Sequence, residues 1–240
     1  MGPSIGQSLS VGVICTAGAA HLSRCLAALR GQRNAPPFDV VVVCDTEPPG
    51  MAGVRQAFPD VTVVDSGGAG PMGLVSRALS ASRGDLVLLT KDHCVPGPDW
   101  VRTMVNAQAA DRAAVGGRVE APPDASATDW AFYFVDFHSY AAPVAEGPAA
   151  RLSVCNVAYR RDRLEAIGDG WRHTFVERDV HDRLAARFGS LWMCEASEVT
   201  LARPLTLRQA IAERYTYGRL FGFSRMQSWG RAKRTAYAAL

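Results

Sequence analysis

The stretch at residues 84–99, GDLVLLTKDHCVPGPD, decides the predicted fold. Residues 86–90 form an uncharged apolar run of strand length, and Lys91, Asp92 and His93 follow where that strand is expected to end. Two prolines and a glycine then break the chain before the next apolar segment. Open α/β sheets bind ligands at the carboxyl ends of their strands, so this stretch predicts a buried strand that carries a site.

Strands and helices are predicted to alternate through the first 110 residues. The predicted strands cover residues 9–16, 38–44, 61–64 and 86–90, and the predicted helices cover 21–30, 54–58, 74–82 and 100–110. This alternation is typical of a doubly wound, mainly parallel sheet with helices on both faces. Right-handed crossovers then place Thr16, Asp45 and Asp92 along one edge of that sheet.

The second half of the sequence is less regular. Strands are predicted over residues 114–120 and 151–159, with one or two more over 190–201. Helices are predicted over 161–167 and 176–188, a loop over 122–128, and residues 130–140 are unusually aromatic. The pattern contains no internal repeat and no evident interdomain linker.

Composition indicates a globular protein in the cytoplasm. Of the 240 residues, 48% are hydrophobic and 20% charged, which suffices for a core. A formal net charge of +3 is too small to indicate a nucleic-acid partner for the whole chain. No pair of the six cysteines has a C-x-x-C spacing, so buried, reduced thiols are expected. No apolar run reaches the ~18 residues of a membrane span, and the first residues lack the positive region of a signal peptide.

Residues 205–240 differ in character from the rest. They carry seven arginines and lysines against the single acid Glu213, with aromatic residues between them. Such a helix can lie on an anionic membrane surface, or it can pack its aromatic face on the body of the protein. No nucleic-acid-binding motif accompanies the charge, so nucleic acid is not an expected partner.

Several segments together resemble the family 2 glycosyltransferases, which have the GT-A fold. The segments that carry the resemblance are residues 11–29, 41–45, 70–85, 88–96, 156–160 and 176–184. The first hundred residues are the specific part of the match. The resemblance implies a GT-A-like domain over 1–204, with a nucleotide-sugar half at 9–110, an acceptor half at 111–204, and 205–240 as a basic, aromatic helical segment.

The resemblance and the residue types imply a set of site residues. The donor, a nucleotide-diphosphate sugar, is expected to contact Thr16, Asp45, Arg77, Lys91 and Asp92. The metal ligands are expected to be Asp92 and His93, with Mn²⁺ or Mg²⁺ bound. Glu177 is the expected general base with Asp179 as second choice, and the unknown acceptor is expected to contact Trp130, Asn156 and His181, the last of which could also orient Glu177.

The sequence departs from the family where the metal is expected. Lys91 and His93 stand at the two outer positions of the family's D-x-D motif. Mn²⁺ accepts both carboxylate and imidazole, so a mixed site with Asp92 is one interpretation. In the second, Lys91 supplies the positive charge without a metal. In the third, Asp92 caps the turn and His93 forms a hydrogen bond within it.

The other candidates also have structural interpretations. Glu177 and its charged neighbours can form a solvated helix face that pairs internally. Asp45 can cap a helix, Arg77 can be an ordinary surface arginine, and Trp130 can belong to the core.

The expected function is inverting sugar transfer to a hydroxyl by a cytoplasmic enzyme that can associate with a membrane surface. The alternatives are a nucleotidyltransferase on a related sheet and a non-catalytic member that binds a nucleotide sugar or a partner protein.

Overall fold

The structure is a computed structural model that describes residues 8–109, 111–226, 229–230 and 233–235. The strands are β1 Leu9–Cys15, β2 Asp39–Cys44, β3 Thr62–Asp65, β4 Leu86–Lys91, β5 Cys94–Pro96, β6 Ala114–Glu120, β7 Gly147–Ala149, β8 Val157–Arg160 and β9 Leu191–Leu201. The helices are α1 Ala19–Arg30, α2 Met51–Ala57, α3 Gly70–Ala81, α4 Trp100–Asn106, α5 Ala127–Phe137, α6 Arg161–Ala166, α7 Gly170–His173, α8 Glu177–Phe188 and α9 Leu207–Met226.

The strands described form a nine-stranded sheet in the order β3-β2-β1-β4-β8-β6-β9-β5, with β7 paired to β9. The first four strands of this order are parallel, as the alternation of strands and helices predicted. β8 pairs antiparallel with both β4 and β6, whereas β6 and β9 are parallel. The predicted α/β architecture, with helices flanking a sheet that is parallel over β1 to β4, is therefore confirmed.

Buried apolar side chains cover both faces of the sheet. On β1, β2 and β4 they alternate between two clusters, because successive strand residues point to opposite faces. One cluster packs against α1, α2 and α4, and the other against α3, α6 and α8. Strands covered on both faces are continuously apolar, which is why residues 86–90 carry no charge.

One element in the second half and one near the site differ from the sequence-based expectation. Residues 151–159 do not form one strand, because the Asn156 backbone N–H donates to the Ser153 carbonyl and closes a turn before β8. The prolines after His93 do not end strand structure at once, since the short β5 pairs antiparallel with β9. Residues 190–201 form the single strand β9.

The basic C-terminal segment is helical over α9, as predicted. α9 is tied to the body of the protein by ion pairs from Arg214 to Asp136 of α5 and from Arg203 to Glu213. The prediction for residues 227–228, 231–232 and 236–240 lies outside the described residues. Among the residues described, no helix is both long and apolar enough to cross a bilayer.

Candidate active site

Three neighbouring parallel strands bring the predicted donor residues to one edge of the sheet. β1 lies between β2 and β4, and each of the three ends at this edge. Thr16 follows β1, Asp45 follows β2, and Lys91 is the last residue of β4, with Asp92 next. The carboxyl edge of the sheet therefore carries the cluster that the sequence predicted.

Asp92 is buried and its carboxylate is fully used in hydrogen bonds. Its Oδ2 accepts from the backbone N–H groups of Thr16, Ala17 and Gly18 at 2.9, 2.6 and 3.1 Å. Its Oδ1 lies 3.2 Å from His93 Nδ1 and 3.5 Å from the Thr16 hydroxyl. Burial raises the pKa of Asp92, but these hydrogen bonds outweigh it and the net pKa is lowered.

This geometry does not fit Mn²⁺ or Mg²⁺ at Asp92 and His93. A carboxylate offers about four lone-pair sites, and five donors already surround that of Asp92. A hard cation that prefers oxygen ligands would have to break the turn between β1 and α1 to reach it. The arrangement corresponds to the interpretation in which Asp92 caps the turn and His93 forms a hydrogen bond within it.

Lys91 places a cation beside the same edge. Burial disfavours its ammonium, but the nearby Cys155, Tyr217, Cys94 and Glu177 favour it, and the net pKa of Lys91 is raised. Lys91 therefore stays protonated throughout the physiological range and is a fixed positive charge at the end of β4.

Glu177 is the first residue of α8, and its partly buried carboxyl is within electrostatic range of Lys91. Burial raises the pKa of Glu177 to about 7, although Lys91 acts in the opposite direction. A carboxyl group that ionises near neutral pH within range of a lysine ammonium has the properties that a general base requires.

The other two candidate residues on α8, Asp179 and His181, both interact with neighbouring side chains. Asp179 is exposed and pairs with Arg183 one turn later, at 3.0 Å. His181 is fully buried, and its Nε2 lies 2.6 Å from the Tyr159 hydroxyl. The other ring nitrogen, Nδ1, is buried and has no hydrogen-bond partner among the described residues, so the expectation that His181 orients Glu177 stays a prediction. Burial lowers the pKa of His181 to about 4, so the ring is neutral.

Asp45 and Arg77 flank the glycine-rich loop that leads into α3. Asp45 Oδ1 accepts from the Ser66 hydroxyl at 2.7 Å and from the Gly70 backbone N–H at 3.3 Å. These bonds hold the loop against the end of β2, and α3 begins at Gly70, four residues earlier than predicted. Arg77 is exposed on α3, and the described part of the chain shows no ion pair between it and Asp45.

Trp130 and Asn156 lie in different environments. The Trp130 ring is 43% exposed on α5 and stacks on Phe134, with centroids 5.5 Å apart. Asn156 has no exposed surface, and its side chain bonds the Trp100 indole, the Arg118 carbonyl and the Ser197 hydroxyl. Trp130 is thus available to a ligand, whereas Asn156 is a structural link inside the sheet.

Three groups near the site were not predicted. Asp136 of α5 lies within electrostatic range of Lys91, where burial raises its pKa and its ion pair with Arg214 opposes the rise. Cys94 and Cys155 lie beside Lys91, although 61 residues separate them in the sequence. Their spacing along the chain gave no sign that they are close in space, because strand pairing brings them together.

Comparison with known proteins agrees with this geometry. Residues 10–168 match the family model described as Glycosyl transferase family 2. The chain belongs to glycosyl transferase family 2. The expectation of a glycosyltransferase domain is confirmed at this level. No curated protein matches the chain in sequence.

Solved structures share the fold at low sequence identity. GalNAc-T7 with UDP, GalNAc and Mn²⁺ has a TM-score of 0.62 and 14% identity, over 83% of this chain and 44% of that one. The mannosyltransferase PcManGT from Pyrobaculum calidifontis, in complex with GDP-Man and Mn²⁺, has a TM-score of 0.59 and 18% identity, over 90% and 66%. S. aureus TarS 1-349 in complex with UDP-GlcNAc has a TM-score of 0.58 and 14% identity, over 95% and 69%.

These likenesses show the GT-A fold. The chain spans less than half of the GalNAc-T7 chain and about two thirds of the other two. The substrates in those complexes are properties of those proteins.

Proposed function

We propose that this domain transfers a sugar from a nucleotide-diphosphate donor to an acceptor hydroxyl. Membership of glycosyl transferase family 2 and the ligands of the structural neighbours support the reaction class. The observation that carries the proposal is the position of Glu177, the first residue of α8, within electrostatic range of Lys91 at the end of β4.

The chemistry requires a base and a counter-charge on opposite sides of the sugar carbon. Glu177 takes the proton of the acceptor hydroxyl, and the hydroxyl oxygen forms a bond to the anomeric carbon. The bond from that carbon to the diphosphate breaks at the same time, and the diphosphate leaves with the electron pair. Lys91 stabilises the negative charge that develops on the leaving group. One displacement of this kind inverts the anomeric centre.

Lys91, rather than a divalent cation, supplies the positive charge in this proposal. Mn²⁺ is present together with UDP and GalNAc in one structural neighbour and together with GDP-Man in another. Here the carboxylate of Asp92 is saturated by backbone donors, so its part is to shape the turn that receives the donor. The same hydrogen bonds fix the backbone around Thr16, which the proposal places beside the nucleotide.

Asp45 is proposed to bind the nucleoside. Its Oδ1 is engaged with the glycine-rich loop, while its Oδ2 accepts no hydrogen bond from the described residues. A free carboxylate oxygen at the end of β2 can accept from a base or a ribose hydroxyl. Arg77, exposed on the helix that follows the loop, is proposed to approach the phosphates.

The acceptor is proposed to lie against α5. Exposed Trp130 and Phe134 offer a stacked aromatic surface on which a sugar ring or an apolar chain can pack. Asp136, also on α5, is held by Arg214, which leaves Glu177 as the carboxyl that is free to exchange a proton.

Peripheral membrane association is proposed for α9. Leu207, Ile211 and Tyr215 recur every four residues and are 58–68% exposed, so they form one apolar stripe on a basic helix. Vesicles containing anionic lipid should retain the protein at low salt, and Ile211→Glu should release it. Equal retention by neutral vesicles would contradict an anionic partner.

A thermal-shift screen of nucleotide diphosphates tests the transferase proposal. One nucleotide diphosphate should raise the unfolding temperature, since a ligand at a hundred times its Kd adds about 2.7 kcal/mol to the free energy of unfolding. The rise should be lost in Lys91→Met and should not need Mn²⁺. Arg83→Met is the matched control, because Arg83 is an exposed cation at the opposite end of β4.

Each other outcome has a definite meaning. If no nucleotide raises the unfolding temperature, the transferase proposal is wrong. If the rise requires Mn²⁺, Lys91 is not the main counter-charge. Binding without release of sugar from the donor would favour the non-catalytic alternative, and binding of a triphosphate with release of pyrophosphate would favour a nucleotidyltransferase.

A further inference from the structure

Three side chains with soft ligand atoms converge beside the proposed donor site. The ring nitrogen of His93 and the sulfurs of Cys94 and Cys155 all lie within 4.8 Å of one another. Both cysteines are buried, and the His93 side chain is 13% exposed. In a tetrahedral zinc site, neighbouring sulfur and nitrogen ligands are about 3.5–3.8 Å apart, so the three atoms need to close by only about 1 Å.

Strand pairing, not sequence proximity, creates this cluster. β4 and β8 are antiparallel, with Leu89 opposite Val157. Continuing that register by two residues places Cys155 opposite Lys91, at the point where β4 ends. The chain then makes the Asp92–His93 turn and enters β5 at Cys94, which is held in place by β9.

The hydrogen bonds around His93 are those of a metal-binding histidine. Its Nδ1 lies 3.2 Å from Asp92 Oδ1, and the other oxygen of Asp92 is fixed by three backbone N–H groups. With the Nδ1 proton directed at the carboxylate, Nε2 is the nitrogen left for a metal ion. The ring also makes a side-chain hydrogen bond to Cys155, and an ion bound between the two residues would replace that bond. A carboxylate that orients a ligating imidazole in this way recurs in metal sites and fixes the ring orientation.

We propose that His93, Cys94 and Cys155 bind a thiophilic divalent cation of the Zn²⁺ class. Two thiolates and a neutral imidazole balance the charge of the ion, and binding requires both sulfurs to be deprotonated. Three protein ligands leave a fourth position for water or another ligand. Sulfur donors favour Zn²⁺ over Mn²⁺ and Mg²⁺, so this site differs in its chemistry from a cation bound by oxygens.

The bound ion would hold the Asp92–His93 turn to the start of β8. Lys91 directly precedes that turn, and the proposed base Glu177 is within electrostatic range of this lysine. The site therefore fixes the distance between the two halves of the sheet where they meet, and this does not depend on whether sugar transfer takes place.

Titration of the reduced, chelator-treated full chain with Co²⁺ tests the site. Tetrahedral Co²⁺ bound by thiolates has strong visible and sulfur charge-transfer absorption, and one equivalent should bind. Zn²⁺ should displace it, and Mn²⁺ should not. Cys155→Ser and Cys94→Ser should each weaken binding at least tenfold, whereas Cys25→Ser, a buried thiol of α1, should leave it unchanged.

A second measurement keeps the test decisive if a serine variant fails to fold. In the wild-type protein, Zn²⁺ should slow alkylation of Cys94 and Cys155 at least tenfold, as mapped by mass spectrometry, and leave Cys194 unchanged. Absence of Co²⁺ absorption, displacement by Mn²⁺ as readily as by Zn²⁺, or unchanged alkylation of the two cysteines would each overturn the proposal. None of these readouts involves a nucleotide, so they are separate from the transferase test.

Discussion

Glu177 begins α8 where burial and a neighbouring cation act on its carboxyl in opposite directions. Burial is the larger effect, and the pKa of Glu177 is about 7. A general base must be ionised, so the rate of sugar release from the donor selected by the thermal-shift screen should rise about tenfold per pH unit below 7 and level off above it. Glu177→Gln should lower kcat by roughly 100-fold or more.

Asp179→Asn is the matched control for this change. Asp179 is on the same helix but exposed and paired with Arg183, so turnover should stay close to the wild-type value. If Glu177→Gln retains turnover and Asp179→Asn loses it, the base has been assigned to the wrong residue.

We predict that the protein loses stability in mild acid because His181 is buried in its neutral form. Its pKa is lowered from 6.5 to about 4 because the ring is buried. The unfolded chain therefore binds the proton more tightly, and stability falls as the pH falls from about 6.5 toward 4. At pH 5 this residue should lower the free energy of unfolding by about 2 kcal/mol relative to pH 7.

Urea denaturation of wild type and His181→Gln at pH 7 and pH 5 measures this contribution. Glutamine keeps an acceptor for the Tyr159 hydroxyl but does not titrate. Glu177 titrates in the same window with the opposite sign, so the quantity to compare is the difference between variant and wild type. An unchanged slope in His181→Gln would contradict the prediction.

At the scale of the elements, the paired strands β6 and β9 leave no space for a side-chain atom at Gly117. The register shifts after Gly117, where β9 has extra residues. A Cβ at Gly117 would lie 2.4 Å from the Ser197 carbonyl oxygen and 2.5 Å from Asn156 Nδ2. Gly117→Ala should therefore lower the free energy of unfolding by about 2 kcal/mol or more.

Gly53→Ala is the control, and it should raise the free energy of unfolding rather than lower it. Gly53 is exposed in the middle of α2, and a Cβ there would meet nothing within 4 Å. Alanine should raise stability by about 0.5–1 kcal/mol through its higher helix propensity. Thermal denaturation of both variants checks the pair, and equal effects at the two glycines would show that the Gly117 contact is not tight.

The spacing of apolar residues along the sequence predicted those helices and strands that depend only on local sequence. β1, β2 and β4 are apolar on both faces, and α8 has a regular buried stripe, so their types and approximate bounds followed from the sequence. The turn before β8 did not, because it depends on the hydrogen bond from Asn156 to Ser153 rather than on a pattern. β5 has three residues, and its partner, β9, lies about a hundred residues later.

The candidate site was predictable to a similar extent. The ends of the parallel strands place Thr16, Asp45 and Lys91 at one edge of the sheet, and this placement does not depend on side-chain contacts. The partners of Asp92 and His181 depend on tertiary contacts, so their roles were not visible in the sequence. The proximity of Cys94 and Cys155 needed the register of β4 and β8.

For the molecule as a whole, the sheet joins the proposed nucleotide and acceptor halves into one structure. β8 of the second half lies between β4 and β6, and β5 of the first half pairs with β9 at the far end. Each half therefore completes the sheet of the other. We expect a single cooperative unfolding transition, with fluorescence and circular dichroism giving the same midpoint.

Asn156 is the residue at which this coupling can be tested. It is fully buried and connects Trp100 of α4 with Arg118 of β6 and Ser197 of β9. Asn156→Ala leaves the Trp100 indole N–H and other polar groups without partners, and each unpaired group costs about 1–3 kcal/mol. The free energy of unfolding should fall by about 3 kcal/mol in urea titrations, with one transition retained.

The number of unfolding transitions in Asn156→Ala shows whether the two proposed halves fold separately. Asn106→Ala, at an exposed asparagine that ends α4, should change stability by less than about 0.5 kcal/mol and serves as the control. If Asn156→Ala instead splits the transition into two, then residues 9–110 and 111–204 fold as separate units that this side chain holds together. A single transition at lower urea means that Asn156 stabilises one continuous sheet, because its three partners then unfold together.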